Sequence, residues 1–350
     1  MRSHTLGKVV GTAGVLALAS MVATAATVQM TGAGATFPAP IYTKWFNMYQ
    51  SIGNTQFNYQ PIGSGGGIKG VTEGTVDFGA SDAILTPAQM DAFKTKNDGH
   101  TLLTFPTVLG AVVPAYNLPG VTAELNFTGP VLADIFLAKI RKWNDPAIAK
   151  LNPGVKLPDL DIFVAHRAEG SGTTFCFTDY LSKVSPEWAK GPGRNASVSW
   201  PECPSCMGAK GNDGVAGLLK QNAGSLGYVE LVYAVKNHLA YGKVKNQAGE
   251  YIKADLKTVS AAAASMKETA ADSQISISDA PGKGVYPIST FTWLLVPEKF
   301  KDADKGAAMK AFVKWAVTKG QDEVESLDYA RLPSSVAKQV AKRADLINKK

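Results

Sequence analysis

Short apolar or alternating runs trade places along the chain with runs of helical periodicity. Six runs are rich in Val, Phe, Tyr and Leu and are bounded by Gly, Pro or Asp, so they are predicted to be β-strands. They cover residues 57–62, 76–82, 102–117, 161–167, 225–231 and 290–297. Between them, apolar residues such as Ile41, Trp45 and Met48 recur at the spacing of one helix face. Strands that alternate with helices indicate an α/β fold, which we expect to form two lobes.

Two amphipathic helices are predicted near the C-terminus, over residues 305–319 and 334–347. Their basic faces are interpreted as solvated helix surfaces and not as a membrane-binding device.

The first 25 residues predict a secretory signal peptide. Cationic Arg2 and Lys8 precede an apolar run that ends in small residues at 23–25, which is the pattern of a cleavage site near Ala25 or Ala26. A membrane anchor is less favoured, because the apolar run is short and interrupted by Gly and Ser. We therefore expect an exported protein.

Cleavage would leave about 325 residues, enough for two domains of ordinary size. It would also lower the formal net charge from +7 to +5, because Arg2 and Lys8 would be lost. The lysines are scattered and form no long basic run, so nucleic acid is not an expected partner. The small positive excess favours anionic partners.

Three cysteines occur, and two of them lie in the short motif CPSC. In an exported protein we expect Cys203 and Cys206 to form a small disulfide and Cys176 to remain single. A redox-active pair of the thioredoxin type is the alternative, but it should open a helix after a strand. The surrounding segment, 200–214, is instead predicted to be turn throughout.

The loop HRAEGSGT at 166–173 combines chemical features that suit a small oxyanion. Arg167 offers a planar fork of donors that matches two oxygens. The glycines let backbone N–H groups approach closely, and the helix predicted to follow adds partial positive charge. A loop of this kind is often only a turn.

Three further loops have similar chemistry, which strengthens the prediction of an oxyanion site. Thr36 and Phe37 stand before Pro38 and a helical run, where Thr36 is a candidate N-cap. Ser64 precedes three glycines, and Asp82 ends a strand.

Other motif interpretations are weaker. Gly65, Gly67 and Gly70 match the dinucleotide fingerprint, but an exported protein has little access to nicotinamide cofactors. A Walker loop is excluded, because Gly70 follows Lys69 where Ser or Thr is required. Metal-ligand spacing of His and Cys is absent from the sequence, so no metal is expected.

Catalysis also finds little support. His166 could serve Ser171 as a base, yet residues 170–172 lack the pattern of a nucleophile elbow.

Several longer motifs occur in one order: TGAGATFPAPIYTKW, YQPIGSGGGIKG, TVDFGASDA, FPTVLGAVV, HRAEGSGTTF, KGNDGVAG, LGYVE and LDYARLP. In order and spacing they resemble the periplasmic phosphate-binding protein of bacterial high-affinity phosphate ABC transporters. The resemblance implies a two-lobed, type II periplasmic-binding-protein fold of the α/β class, with a ligand cleft between lobes joined by two crossover strands. After the signal peptide at 1–25, it implies one lobe from 26–110 and 285–350, and a second from 111–284.

The function implied by the resemblance is capture of inorganic phosphate and its delivery to the permease and ATPase subunits of an ABC transporter. The expected protein is a periplasmic monomer that is not an enzyme and holds no cofactor. The resemblance carries the phosphate-binding role to matching positions of this chain. These are Thr36, Phe37, Ser64, Asp82, Arg167, Ser171, Gly172 and Thr173.

The roles implied for these residues differ. Phe37 and Gly172 are expected to donate through backbone N–H groups, and the hydroxyl residues through Oγ. Ser171 and Thr173 have an alternative role as caps of the following helix. Glu169 stands where the family commonly has an aspartate paired with the binding arginine, and the CPSC motif has no counterpart in the family pattern.

Asp82 suggests how phosphate would be selected. An ionised carboxylate only accepts hydrogen bonds, so it can receive the proton of a P–OH group, and sulfate has no such proton. An exported phosphatase or phosphoryl-transfer enzyme, or a binder of another tetrahedral oxyanion such as arsenate, remains the alternative.

Overall fold

A computed structural model gives the fold and describes residues 26–266 and 274–349. The predicted signal peptide at 1–25 lies outside the described residues. Within those residues, no helix combines the length and hydrophobicity needed to cross a membrane.

Strands and helices alternate, as the periodicity predicts. The strands are β1 Val28–Gly34, β2 Thr55–Gln60, β3 Phe78–Ser81, β4 Leu102–Asn117, β5 Asn126–Phe127, β6 Phe163–Arg167, β7 Cys206–Ala209, β8 Ser225–Glu230, β9 Ala240–Tyr241, β10 Lys243–Lys245, β11 Tyr251–Ile252 and β12 Ser289–Pro297. The α-helices are α1 Ala39–Gly53, α2 Ser64–Thr72, α3 Pro87–Lys96, α4 Gly129–Phe136, α5 Pro146–Ala149, α6 Gly172–Val184, α7 Pro186–Lys190, α8 Gly211–Gln221, α9 Leu231–Lys236, α10 Leu256–Ala264, α11 Ala303–Ala316 and α12 Ser334–Arg343.

The main sheet has the strand order β2-β1-β3-β12-β4-β8-β6-β7, with β9 pairing on β4. Strands β1, β2 and β3 run parallel at one end, and β6, β7 and β8 run parallel at the other. Strands β12 and β4 lie between these groups in antiparallel pairings. A small sheet of β11, β10 and β5 lies apart.

The long strand β4 joins the two ends of the sheet. Its residues Leu102–Ala111 pair with β12, and its residues Val112–Asn117 pair with β8. The strand is buried except at its last residue, because neighbouring strands and helices cover it. The chain crosses between the two halves along β4 and returns just before β12. This arrangement is the two-lobed type II periplasmic-binding-protein fold, and the predicted fold class is confirmed.

Aromatic side chains fill the cores of both halves. In the first half, Phe46 of α1 stacks on Phe57 of β2 with ring centroids 4.5 Å apart, and Phe312 of α11 lies 4.6 Å from Phe57. In the second half, Phe177 of α6 stacks on Tyr228 of β8 at 4.5 Å. The helical spacing seen in the sequence therefore directs one face of α1, α6 and α11 at the sheet.

Two local predictions are wrong. The segment 200–214 is not turn throughout, because β7 lies within it and pairs in parallel with β6 at the sheet edge. Thr36 does not cap α1: the helix begins at Ala39, and its N-cap position is Pro38, which makes no side-chain cap. In the first case, pairing with β6 overrides the turn propensity of the segment. In the second, the proline before Ala39 sets the start of the helix.

The cysteines have the arrangement that the sequence favours. Cys203 and Cys206 form a disulfide with Cα atoms 5.4 Å apart. Cys176 is free and buried in α6, and burial raises the pKa of its thiol.

Candidate functional site

The four polar loops meet at the carboxyl ends of parallel strands. Thr36 and Phe37 follow β1, Ser64 begins α2, Asp82 follows β3, and Arg167 ends β6 just before α6. Carboxyl ends of parallel strands share one edge of a sheet, which is where α/β proteins hold ligands. Residues as far apart in the sequence as 36 and 173 are therefore brought into one buried site.

Ser64 connects the two halves of the site. Its Oγ accepts hydrogen bonds from the backbone N–H of Asp82 at 3.3 Å and from the backbone N–H of Gly172 at 3.0 Å. In the same region, the N–H of Gly65 donates to the carbonyl of Gly170 at 2.9 Å. The start of α2 is thus fixed directly against the start of α6.

Asp82 is the buried acid of the site, with 1% of its surface exposed. Its Oδ1 accepts a hydrogen bond from Thr292 Oγ1 of β12 at 2.7 Å. Burial raises the pKa of Asp82 from 3.8 to about 7, although the bond from Thr292 and the charge of Arg167 oppose the rise. The carboxyl therefore changes charge near neutral pH.

Arg167 is the buried cation of the site. Its Nε donates to Glu169 Oε1 at 3.0 Å, its Nη2 donates to the same oxygen, and its Nη1 donates to Thr173 Oγ1 at 3.2 Å. Glu169 Oε1 also accepts from the N–H of Gly211 at 3.1 Å. Burial raises the pKa of Glu169, but these bonds and the charge of Arg167 outweigh burial and hold it below its usual value. The longer acid therefore does reach the guanidinium.

Asn212, at the start of α8, is a central residue that the local sequence did not single out. Its Nδ2 donates to Thr36 Oγ1 at 2.9 Å and to Thr173 Oγ1 at 3.2 Å. Its backbone N–H also donates to Thr36 Oγ1 at 3.3 Å. The motif KGNDGVAG and the position just after a parallel strand were the available signals.

Three hydroxyls of the site already accept two hydrogen bonds from N–H groups. Ser64 accepts from two backbone amides, Thr36 from two groups of Asn212, and Thr173 from Arg167 and Asn212. A hydroxyl has two lone pairs and one proton, so each of these three can only donate to a ligand. The site is therefore built to surround an acceptor-rich, anionic group.

Ser171 and Phe37 take positions at the edge of this network. Ser171 is the N-cap of α6, and its Oγ accepts from the N–H of Thr174 at 3.1 Å. Its hydroxyl proton remains available, so the capping role does not exclude ligand binding. The carbonyl of Phe37 accepts from the Tyr329 hydroxyl at 2.6 Å, and among the described residues its N–H donates to no protein atom.

The remaining sequence candidates lie as follows. The N–H of Gly172, an expected ligand donor, points at Ser64 Oγ. The ring of His166 stacks on Trp200 with centroids 4.7 Å apart, and its Nδ1 bonds the Arg167 carbonyl. Among the described contacts, His166 makes no hydrogen bond to Ser171 that would activate it as a nucleophile. Across the described ranges, no group of three or more His, Cys, Asp or Glu residues is arranged to hold a metal.

Comparison with known proteins supports the same picture. A family model described as a PBP superfamily domain matches residues 21–319. The phosphate-binding protein PstS of Pasteurella multocida is 43% identical over 313 residues, which cover 89% of this chain and 88% of that protein. The chain belongs to the PstS family. The PstS protein of Methanocaldococcus jannaschii is 38% identical, over 87% of this chain and 82% of its own length.

Solved structures show the PstS-family fold in more distant proteins. A high-affinity periplasmic phosphate-binding protein, PfluDING, solved with bound phosphate, matches with a TM-score of 0.74 at 20% identity, over 90% of this chain and 93% of that chain. A phosphate-binding protein from Stenotrophomonas maltophilia matches with a TM-score of 0.68 at 20% identity, over 90% and 94%. The architecture is therefore shared well beyond the range of close sequence similarity.

Proposed function

We propose that this protein binds inorganic phosphate between its two halves and delivers it to an ABC-type permease for import. The observation that carries the proposal is the polarity of the site. Ser64, Thr36 and Thr173 can only donate hydrogen bonds to a ligand, while the buried Asp82 can accept one in its ionised form. Phosphate near neutral pH offers many acceptor oxygens and at least one P–OH donor, so it matches both parts.

The ligand residues proposed are the eight named from the sequence. The N–H of Gly172, at the start of α6, is shared between Ser64 Oγ and the phosphate in a three-centre hydrogen bond. Arg167 supplies the main positive charge, and its alignment comes from Glu169 and Thr173. The start of α6 adds the partial positive charge of a helix N-terminus. Asp82 Oδ1 accepts from Thr292 Oγ1, and we assign the P–OH proton to Oδ2, to which no described residue donates a hydrogen bond.

Selectivity follows from the same carboxylate. A fully ionised sulfate would place a lone pair against the carboxylate in a dehydrated site, where an unpaired acceptor costs several kcal/mol. Sites built around a particular OH group discriminate by about 10⁴ or more. Arsenate carries a comparable proton and is not rejected by this mechanism.

Division into lobes is the second part of the proposal. We assign 26–110 and 285–350 to one lobe and 111–284 to the other. The boundary at 110/111 lies within one residue of the point where β4 changes its partner from β12 to β8. Thr36, Phe37, Ser64 and Asp82 then belong to one lobe and the 167–173 loop to the other. Phosphate binding closes the lobes by a hinge motion, and the closed form is the one that a permease recognises.

The setting of the protein completes the proposal. The predicted signal peptide and the curated PstS relatives support export to the periplasm, where the protein works as a monomer with the permease and ATPase subunits of a phosphate transporter.

Calorimetry with phosphate, sulfate and arsenate on purified, phosphate-free protein tests the proposal. We expect binding of phosphate and arsenate and sulfate binding weaker by about 10⁴. Lack of phosphate binding would overturn the proposal, and steady hydrolysis of a generic phosphate ester would favour an enzyme instead.

A further inference from the structure

Asn212 is a fully buried amide that contacts both halves of the site without being one of the predicted ligands. It lies in the first turn of α8 and makes four hydrogen bonds to described residues outside that helix. Three of them are donated to the hydroxyls of Thr36 and Thr173. In the fourth, Asn212 Oδ1 accepts from the backbone N–H of Glu230 at 3.0 Å.

The bond from Glu230 fixes which way the amide faces. A backbone N–H can donate to the carbonyl oxygen of an asparagine side chain but not to its NH₂ group. Oδ1 must therefore face Glu230, and Nδ2 must face the two threonines. The usual ambiguity between the oxygen and nitrogen of an amide is resolved by this partner.

The orientation of Asn212 determines what the threonine hydroxyls can do. Thr36 Oγ1 receives the side-chain and the backbone N–H of Asn212, which occupies both of its lone pairs. Thr173 Oγ1 receives Asn212 Nδ2 and Arg167 Nη1, which occupies both of its lone pairs as well. Each hydroxyl keeps only its proton for a ligand.

We propose that Asn212 is the positioning residue that makes Thr36 and Thr173 hydrogen-bond donors and thereby gives the site its preference for a polyanion. The inference rests on the proposed function, since it concerns how the phosphate site is polarised. With an acceptor at position 212, the two hydroxyl protons would turn toward that acceptor. Their lone pairs would then face the ligand and repel its oxygens.

The substitution Asn212→Asp tests this polarity with almost no change in shape. At pH 8 the ionised carboxylate should reverse both threonines and weaken phosphate binding by roughly 100-fold or more, in line with the loss of a charge-assisted bond and a new unfavourable contact. Acidification to pH 5.5 should restore part of the affinity, because a protonated carboxyl can again donate. Affinities are expressed relative to the unsubstituted protein at each pH, which removes the shared titration of phosphate, Asp82, Glu169 and Glu230.

Asn212→Ala separates the effect of reversed threonine hydroxyls from the effect of simply losing the Asn212 amide. It removes the amide without adding an acceptor, so we expect a smaller loss, roughly 10-fold, with a ratio to the unsubstituted protein that does not change with pH. Asn222→Asp is the charge control: Asn222 lies at the other end of α8 and bonds the Leu218 carbonyl, and its substitution should leave phosphate affinity unchanged.

A double-mutant cycle keeps the inference testable if Asn212→Asp fails to fold. Asn212→Ala should weaken phosphate binding less in a Thr36→Val background than in the unsubstituted protein, because the hydroxyl that it orients is already gone. Equal losses in both backgrounds would overturn the inference. So would equal, pH-independent losses for Asn212→Asp and Asn212→Ala in protein that still binds phosphate when unsubstituted. If the unsubstituted protein binds no phosphate, the proposed function fails first and this inference fails with it.

Discussion

The carboxyl group of Asp82 lies directly against the α-carbon of Gly172, so that a Cβ atom at position 172 would stand 2.5 Å from Asp82 Oδ2. This contact joins the end of β3 to the first turn of α6. Only a residue without a side chain permits it, although the backbone at Gly172 is ordinary helix.

We predict that Gly172→Ala prevents the two halves from closing around a ligand. The added methyl group would displace Asp82 or hold the halves apart, and overpacking of this kind costs enough to weaken phosphate binding by roughly 10- to 100-fold. Gly217→Ala is the matched control, because Gly217 also lies in a helix and a Cβ there meets no atom of the described residues within 4 Å. Calorimetry on both variants decides, and unchanged affinity in Gly172→Ala would contradict the prediction.

Replacing Asp82 and replacing Arg167 should change the affinities for phosphate and sulfate in different ways. Asp82→Asn supplies an NH₂ group that can donate to a fully ionised oxyanion, so the preference for phosphate over sulfate should fall sharply. Arg167→Ala removes charge that both anions use, so both affinities should fall while their ratio changes less. Competition binding with the two anions measures the ratio. Sulfate exclusion that survives in Asp82→Asn would remove the carboxylate from the selectivity mechanism.

The raised pKa of Asp82 predicts a pH-dependent stability. A group whose pKa is higher in the folded state than in the unfolded state stabilises the fold fully below the unfolded value, and this contribution is lost as the pH rises through the folded value. For Asp82 this loss falls in the pH range from 3.8 to about 7. It amounts to up to about 4 kcal/mol of the free energy of unfolding.

Urea unfolding of phosphate-free protein at pH 4.5 and pH 8 checks this prediction. Glu230 is also buried, and burial raises its pKa well above the usual value, so the unsubstituted protein contains both effects. Asp82→Asn should lose less stability between the two pH values than the unsubstituted protein does. Identical losses would mean that Asp82 does not titrate in this range.

Residues 274–278 form a strap beside the site, and we predict that Gln274 in this strap slows phosphate release. Gln274 Oε1 accepts from the N–H of Leu85 at 2.7 Å, three residues after Asp82, and its Nε2 donates to the Ala83 carbonyl. Ser276 and Ser278 both donate to Asp179 of α6. The strap therefore connects the loop after β3 with the helix that begins at the site.

Gln274→Ala should speed phosphate release several-fold with little change in the association rate, because it removes the hydrogen bonds that hold residues 274–278 against the loop after β3. Gln247→Ala is the control: Gln247 bonds the Asp279 carbonyl and does not reach the loop after β3. Stopped-flow release into a phosphate scavenger distinguishes the two variants, and equal release rates would refute a role for the strap.

Hinge closure itself predicts a change of size in solution. Small-angle scattering should show a smaller radius of gyration with saturating phosphate than without it, and the difference should disappear in Gly172→Ala. A radius that is the same in both states would argue against closure.

The sequence predicted the fold where its signal was continuous. The apolar run at 102–117 matches β4 from end to end, because a strand buried on both faces needs no alternation. Strand β7 was missed because its residues have turn composition and become a strand only through pairing with β6. Edge strands of this kind carry little local signal.

The polar loops of the candidate site could be picked out where a loop shows its own chemistry, as around Arg167 and Asp82; their role in binding stays a prediction. Thr292 was not predictable, because it lies 210 residues from the carboxylate to which it donates. It occupies one position among many on a buried strand, and no local pattern separates it from its neighbours. Asn212 was hidden in a loop of turn-forming residues for the same reason: its importance comes from partners that are distant in the sequence.

The place of β12 between β3 and β4 affects how the nascent chain can complete its sheet. These two strands are consecutive along the chain, yet the gap between them is filled by residues 289–297. While a ribosome is still making the chain, the first half-sheet has a missing central strand and Asp82 lacks its partner Thr292. We therefore expect the central part of the sheet to be completed only after residues 289–297 have been synthesised.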